Sequence, residues 1–108
     1  MDRIKMFWES IEKIAKKYGY VLSDEWEDEL DYKPEKLIMV EKRLYNPKTR
    51  LTIWINLYIW KTPHKTIPFT IHVCPSIYPF IGINPKHVEE YARIEPEILK
   101  QYLELVHK

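Results

Sequence analysis

The sequence predicts an α+β fold, a three- or four-stranded antiparallel meander with N- and C-terminal helices packed on one face. Residues 51–62 alternate in the two-residue period of a strand. Amphipathic helical patterns stand at both ends of the chain, and turn-forming residues divide the middle into strand-length pieces. With 108 residues, 45% of them hydrophobic and 31% charged, we expect one globular domain, 1–108, with a two-layer core.

The first predicted element is an amphipathic helix over residues 2–18. Its apolar residues recur at spacings of three and four, which places them on one stripe. They are Ile4, Phe7, Ile11, Ile14 and Tyr18. Gly19 stands where a helix commonly ends in a left-handed glycine.

The next segment, residues 23–31, holds six acids and no base. Ser23 or Asp24 could cap a short helix, with Trp26 and Leu30 on its inward side. The run lacks the glycine and ligand spacing of a calcium loop, so we expect a solvated helix face or a lid over basic strands.

Three strands follow, over residues 36–45, 51–61 and 66–74. The turn residues 46–49, Asn-Pro-Lys-Thr, make the first two a hairpin. Pro68 cannot donate a ladder hydrogen bond, so the third strand is an edge strand or is broken there. The proline-rich segment after it is a loop, or a loop and a short strand over 80–83.

The chain closes with helical patterns. Asn84 and Pro85 suit a helix start, and Pro96 suits the start of a second helix. We expect Val88, Tyr91 and Ala92 to face inward. The last helix carries an apolar stripe, and we expect the core to use it. Its residues are Ile98, Leu99, Tyr102, Leu103 and Val106.

The strand at 51–61 has two unlike faces. One is aliphatic and requires a core, which the two terminal helices can supply. The other carries Trp54, Tyr58 and Trp60. A patch of this kind marks an interface more often than a bare surface. Packing within the molecule is the alternative, since cross-strand aromatic pairs also stabilise sheets.

Charge is uneven around this aromatic face. No acid occurs between Lys42 and Lys86, a stretch bounded by and including seven basic residues. We expect a non-enzymatic binding module, a homodimer or a partner of another protein through this face. The alternative is single-stranded nucleic acid, with rings stacking on bases and basic residues on phosphates. The predicted binding residues are Trp54, Tyr58, Trp60, His72, Lys42, Arg43, Lys48, Arg50 and Lys61. Pairing of edge strands is another route to a dimer.

Catalytic and cofactor motifs are not evident. His72 and Cys74 share a strand face, but two same-face neighbours lie about 6–7 Å apart, which is marginal for a catalytic dyad. We expect Cys74 to be a buried or half-buried structural cysteine. The spacings of His64, His72, Cys74 and His87 do not suit zinc, and two glycines leave little room for a phosphate-binding loop. We therefore expect no enzyme activity, cofactor or metal.

Location is predicted from what the chain lacks. A single cysteine permits no internal disulfide and indicates a reducing compartment, so we expect a cytoplasmic protein. The charged first residues do not form a signal peptide, and no apolar run is long enough to span a membrane. One glutamine among many Ile, Lys and Glu residues is typical of thermophiles.

The segment TIHVCPSIYPFIGINP resembles the strand and P-x-x-Y-P pattern of RWD domains and the ubiquitin-conjugating-enzyme fold. The matching residues are Pro75, Tyr78, Pro79 and, more loosely, Pro85. The resemblance implies that Tyr78 and Pro79 fix the loop after the third strand, and that the domain is a protein-interaction scaffold. Conjugation activity is not implied, because Cys74 precedes the motif and the chain lacks an H-P-N triplet.

Overall fold

The computed structural model describes residues 3–32, 35–77 and 84–107, with side chains for 3–23, 36–68, 70–76 and 84–107. Six elements follow one another along the chain. They are α1 (Arg3–Tyr18), β1 (Val21–Tyr32), β2 (Glu35–Tyr45), β3 (Leu51–Lys61), β4 (Thr66–Ile77) and α2 (Pro85–His107). The predicted α+β class is confirmed. The described strands form one antiparallel sheet in the order β1-β2-β3-β4, a simple meander.

The predicted short helix over 23–31 is wrong, because this segment is part of β1. The strand pairs with β2 from Val21–Tyr45 to Tyr32–Glu35, with a bulge between Ser23 and Trp26. Trp26 and Leu30 are four residues apart, a spacing that returns to the same side in a helix and in a strand alike. Strand pairing determines the structure of this segment, because β1 forms hydrogen bonds with N–H and C=O groups along β2 that would otherwise have no partner strand.

The first helix ends as its sequence predicts. Gly19 has a φ of 77°, the left-handed conformation that glycine adopts without strain. The Tyr20 N–H donates to the Ala15 carbonyl at 2.8 Å, and the Gly19 N–H reaches the Lys16 carbonyl at 3.4 Å. These two bonds form a Schellman cap and turn the chain directly into β1.

A polar cluster, the Glu90 cluster, fixes the β2–β3 turn against α2. The Glu90 carboxylate accepts hydrogen bonds from the Tyr20 hydroxyl, from Asn46 Nδ2 at 3.2 Å and from the Thr49 hydroxyl at 3.0 Å. His87 Nε2 lies 2.9 Å from the Thr49 carbonyl. Burial, and then the bond to Glu90, hold the pKa of Tyr20 well above its ordinary value. The cluster thus joins the α1–β1 connection, the β2–β3 turn and α2 at one end of the sheet.

The C-terminal helix begins as predicted but is not interrupted. Asn84 Oδ1 accepts the His87 N–H at 3.1 Å, which is the expected N-cap bond. The predicted restart at Pro96 is wrong, because α2 runs through it. An internal proline costs a helix about 3 kcal/mol. Ile94 and Ile98 on either side of Pro96 are fully buried, and their packing in the core offsets that cost.

The buried face of α2 differs from the prediction. Val88 is 56% exposed and Leu103 54%, and Ala92, Leu99 and Val106 are exposed as well. Ile98 is buried as predicted, and His87, Ile94 and Leu105 are buried with it. Tyr91 and Tyr102 are half-buried and lie between the buried and the exposed face of α2. The helix carries two apolar stripes, and the spacing alone could not choose between them.

The core lies between the two helices and the aliphatic face of the sheet. Leu51, Ile53, Ile55, Leu57 and Ile59 of β3 are almost wholly buried, as the alternation predicts. Phe7, Ile11 and Ile14 of α1 and Ile94, Ile98 and Leu105 of α2 complete the same cluster. Both described helices therefore lie on one side of the sheet. Neither of them covers the opposite side, which carries the aromatic residues of β3.

Two predictions fall outside the described residues. The strand suggested at 80–83 and the roles of Tyr78 and Pro79 all lie within residues 78–83. The fourth strand that the structure does contain is β1, at the opposite edge of the sheet.

Candidate functional site

The sheet face opposite the helices, called the open face here, is built from cross-strand rows. The central rows join β2, β3 and β4 through Trp54, Asn56, Tyr58 and Trp60. The rows are Tyr45–Thr52–Ser76, Arg43–Trp54–Cys74, Glu41–Asn56–His72, Met39–Tyr58–Thr70 and Leu37–Trp60–Ile67. Because directly paired residues point to the same side, these side chains share one surface. Trp54, Tyr58 and Trp60 are each half-buried on it.

The best-defined contact on the open face joins Arg43 and Trp54. The Arg43 Cζ atom lies 3.9 Å from the centre of the Trp54 ring, a close cation–π stack. Glu41, two residues away on the same strand, lies 3.8 Å from the guanidinium. The positive charge of Arg43 is therefore stacked on the Trp54 ring and lies beside the Glu41 carboxylate.

The remaining predicted basic residues are not gathered on the open face. Lys42 lies on the helix side, where its Nζ atom stands 4.8 Å from the centre of the Trp8 ring. Lys48 and Arg50 are exposed in the β2–β3 turn, and Lys61 is exposed at the opposite end of β3. The ends of this strand are roughly 35 Å apart. Of the basic residues proposed for the site, the structure places only Arg43 among the aromatic side chains.

Asn56 has an unusual environment at the middle of the open face. Its Oδ1 atom is buried and has no hydrogen-bond donor within the described part of the chain. Glu41 and His72 are its cross-strand neighbours. A buried acceptor without a donor costs free energy, so Asn56 lowers the stability of the sheet relative to a residue that lacks this acceptor.

His72 and Cys74 differ from the prediction made for them. Both are exposed on β4, so Cys74 is not a buried structural residue. Its sulfur lies 3.7 Å from the carbonyl of the adjacent Pro75. Among the described strands β4 lies at an edge of the sheet, and neither described helix covers its open-face side, so Cys74 stays in contact with solvent. Among the described residues, no three His, Cys, Asp or Glu side chains gather as metal ligands would.

The open face also contains a depression that sequence reasoning missed. It lies near the β2–β3 turn and has a volume of about 330 Å³. The lining residues are Ser23, Arg43, Tyr45, Thr52, Trp54 and Ser76. Only Arg43 and Trp54 among them were predicted. The others are small or hydroxylated residues without a motif, and only the cross-strand register brings them together.

Among the described strands β4 lies at an edge of the sheet, as predicted from Pro68, and its outer side offers few groups for further strand pairing. Pro68 and Pro75 have no N–H to donate. Pro75 pairs with Ile53, and the residue two positions earlier, Val73, pairs with Ile55. Because hydrogen-bonding direction alternates along a strand, Val73 faces outward as Pro75 does. The Tyr91 hydroxyl of α2 already donates to the Val73 carbonyl at 3.2 Å.

No helix in the described part of the chain is long and apolar enough to cross a membrane. Comparison of the chain with protein-family models, curated proteins and solved structures found no match. The resemblance to RWD domains therefore stays a prediction.

Proposed function

We propose that this chain is a non-enzymatic binding module that pairs with a second copy of itself through the open face. The observation that carries the proposal is the contrast between the two sides of the sheet. Both described helices cover the aliphatic side, and Trp54, Tyr58 and Trp60 stand half-buried on the other. Aromatic side chains are enriched where proteins bind one another.

The size of the open face suits a dimer. Four strands of 11 or 12 residues, about 4.8 Å apart, cover about 700 Å². A standard protein–protein interface uses about 800 Å² from each partner. Two such faces stacked about 10 Å apart would form a sandwich, an arrangement that antiparallel sheets adopt readily.

The charges on the open face also favour a second copy. Glu41 and Arg43 stand side by side on β2, so two copies related by a twofold axis can oppose unlike charges. A net charge of +1 gives little repulsion between identical chains. Nucleic acid would need several phosphate contacts, and here Lys42, Lys48, Arg50 and Lys61 are spread over the other face and both ends of β3.

Face-to-face stacking is favoured over continuation of the sheet at its β4 edge. The outer edge of β4 has two positions without an N–H and one carbonyl already bonded to Tyr91. A partner strand would therefore find few free groups there. The resemblance to RWD domains, which implies an interaction scaffold, agrees with the same proposal.

The test is the molar mass in solution, measured by light scattering or sedimentation over a wide range of protein concentration. We expect the mass to rise from 13.2 kDa to twice that value. Tyr58→Glu, at the centre of the open face, should weaken the dimer about 100-fold, the effect of losing a strong interface contact and burying a charge. Leu103→Glu is the matched control, because Leu103 is exposed on α2.

Three results would count against the proposal. A monomer mass at the highest concentration would exclude the dimer. A dimer broken by Leu103→Glu and not by Tyr58→Glu would move the contact to α2. Binding of a single-stranded oligonucleotide that falls steeply with salt and is lost in Trp54→Ala would favour nucleic acid as the ligand of this face.

A further inference from the structure

The two edges of the described sheet differ in what they offer to a further strand. On β4, Pro68 and Pro75 lack an N–H, and the Val73 carbonyl already accepts a hydrogen bond from Tyr91. At the other edge, every residue of β1 carries an N–H, because the strand contains no proline. Within the described part of the chain, no strand pairs with the outer side of β1. An unpaired edge of this kind is a template for another strand.

The direction of the backbone groups along β1 follows from the hairpin that β2 forms with β3. The Asn46 N–H donates to the Leu51 carbonyl at 2.9 Å, so these two residues form a hydrogen-bonded pair. The register then continues without a shift from Tyr45–Thr52 to the far end of β2. Because the bonding direction alternates along a strand, the even-numbered residues of β2 bond to β3 and the odd-numbered ones face β1.

Beyond its bulge, β1 therefore alternates between bonded and unbonded backbone positions. Trp26, Asp28 and Leu30 pair with odd-numbered residues of β2 and bond to them. The residues between them direct their N–H and C=O groups away from β2, to the outer edge. They are Glu27, Glu29 and Asp31. The backbone groups that a further strand would use thus belong to three acids, each two residues from the next.

The acids of this row have little compensation on β2. Asp31 lies across from Lys36, but Glu27 and Glu29 lie across from aliphatic residues. The whole of β1 holds six acids and no base. A second copy of β1, paired antiparallel at this edge, would place acid across from acid, and like charges directly opposite destabilise a strand pair. The charge therefore disfavours self-pairing at this edge and favours a strand that carries bases.

We propose that the outer edge of β1 binds an extended basic segment of another protein, which adds to the sheet antiparallel to β1. Its backbone bonds to the N–H and C=O groups of Glu27, Glu29 and Asp31, and lysine or arginine at every second position lies across from these acids. Main-chain bonds give such a complex its affinity, and the alternate side chains give its specificity. The proposal goes beyond self-association and does not depend on it, because the groups of an edge lie in the plane of the sheet and not on its open face.

The experiment is a titration of the ¹⁵N-labelled chain with a capped peptide of sequence TKVKVKT, followed by amide resonances and hydrogen exchange. We expect saturable shifts along β1 and slower exchange at Glu27, Glu29 and Asp31, whose N–H groups become bonded. The N–H groups that already bond to β2 should change little, so the protection appears at every second residue. The capped peptide TEVEVET, with the opposite charge, should not bind.

Two methylated peptides separate strand pairing from simple charge attraction. Methylation of the lysine backbone amides of TKVKVKT removes the donors that face β1, and we expect binding to weaken at least tenfold. Methylation of the valine backbone amides removes only donors that face away from β1, and we expect a change of no more than about threefold. All three peptides carry the same charge, so attraction between charges alone would not distinguish them.

The matched variants of the protein are Glu29→Gln and Glu104→Gln. Both remove one carboxylate at nearly constant shape, but Glu104 is exposed on α2. Glu29→Gln should weaken binding of TKVKVKT about threefold, the effect of one cross-strand ion pair, and Glu104→Gln should leave it unchanged. Tyr58→Glu, designed to be monomeric, should still bind the peptide with the same alternating protection.

Several results would overturn the proposal. They are the absence of saturable shifts along β1, equal effects of the two methylation patterns, equal binding of TEVEVET and TKVKVKT, and an unchanged affinity in Glu29→Gln. Absence of binding by either peptide would mean that the acids of β1 only keep its edge unpaired. A chain that is monomeric and still binds TKVKVKT would remove the dimer and leave this edge site intact, so the two proposals fail separately.

Discussion

Single residues on the open face are not chosen for stability alone. Asn56 keeps a buried Oδ1 acceptor that has no donor in the described structure. It lies on β3 between two strands that hold it in place. A valine would be more stable at this position in an ordinary sheet, because it is β-branched and has no polar atom to satisfy.

The variant Asn56→Val tests whether the unbonded amide at the centre of the open face lowers the stability of the protein. We expect the free energy of unfolding to rise by about 1 kcal/mol, because the change removes an unbonded buried acceptor and adds a β-branched side chain. Urea denaturation at neutral pH measures it. Thr70→Val, exposed on the neighbouring strand, controls for the general gain from valine and should stay within about 0.5 kcal/mol of wild type. A loss of stability in Asn56→Val would show that the amide is bonded in the native protein.

At the scale of the element, α2 shows how packing overrides a local signal. Pro96 is a strong stop signal, and the sequence predicts two helices because of it. The helix is nevertheless continuous from Pro85 to His107. Ile94 and Ile98 insert into one core from either side of the proline, and a break would remove one of them from it.

Pro96→Ala should therefore stabilise the protein. The change restores a backbone N–H inside the helix and relieves the clash of the ring with the preceding turn, so we expect a gain of about 1–3 kcal/mol. The control is Pro85→Ala, at the first position of the same helix, where a proline removes no intrahelical bond and should give no gain. Thermal or urea unfolding distinguishes them. Equal effects of the two variants would mean that α2 is broken at Pro96.

At the scale of the whole molecule, the end of the sheet that carries the β2–β3 turn is held by buried tyrosine and carboxylate. Tyr20 in the α1–β1 connection and Asn46 in the β2–β3 turn bond to Glu90, and Tyr91 bonds to the edge of β4. Burial, and then a hydrogen bond to a carboxylate, hold the pKa values of Tyr20 and Tyr91 above the ordinary value for tyrosine. These contacts make stability depend on alkaline pH.

Proton linkage makes the folded protein less stable at alkaline pH. The unfolded tyrosines titrate near pH 10, and the folded ones titrate higher, so above pH 10 the unfolded state loses protons first. The stabilisation is complete below pH 10 and is lost as the pH rises through the folded pKa values. We expect urea midpoints to fall steeply above pH 10 and Tyr20→Phe to make that fall shallower, at a cost of about 1–2 kcal/mol at pH 7. Tyr58→Phe, on the open face, is the control variant. An unchanged slope in Tyr20→Phe would mean that its hydroxyl is not held by Glu90.

The sequence by itself determined the elements whose signals are local. The alternation of β3, the Gly19 and Asn84 caps, the β2–β3 turn and the edge position of the Pro68 strand all depend on residues close together in the chain, and each is found in the structure. Only the tertiary structure decided the rest. The acidic segment forms β1 because it pairs with β2. The helix α2 buries one of its two apolar stripes, and Lys42 lies on the helix side of the sheet. For the same reason, the sequence predicts only some of the residues of the candidate site. Trp54 and Arg43 belong to readable patterns, whereas Thr52, Ser23 and Ser76 become neighbours only through strand register, which joins residues that are far apart along the chain.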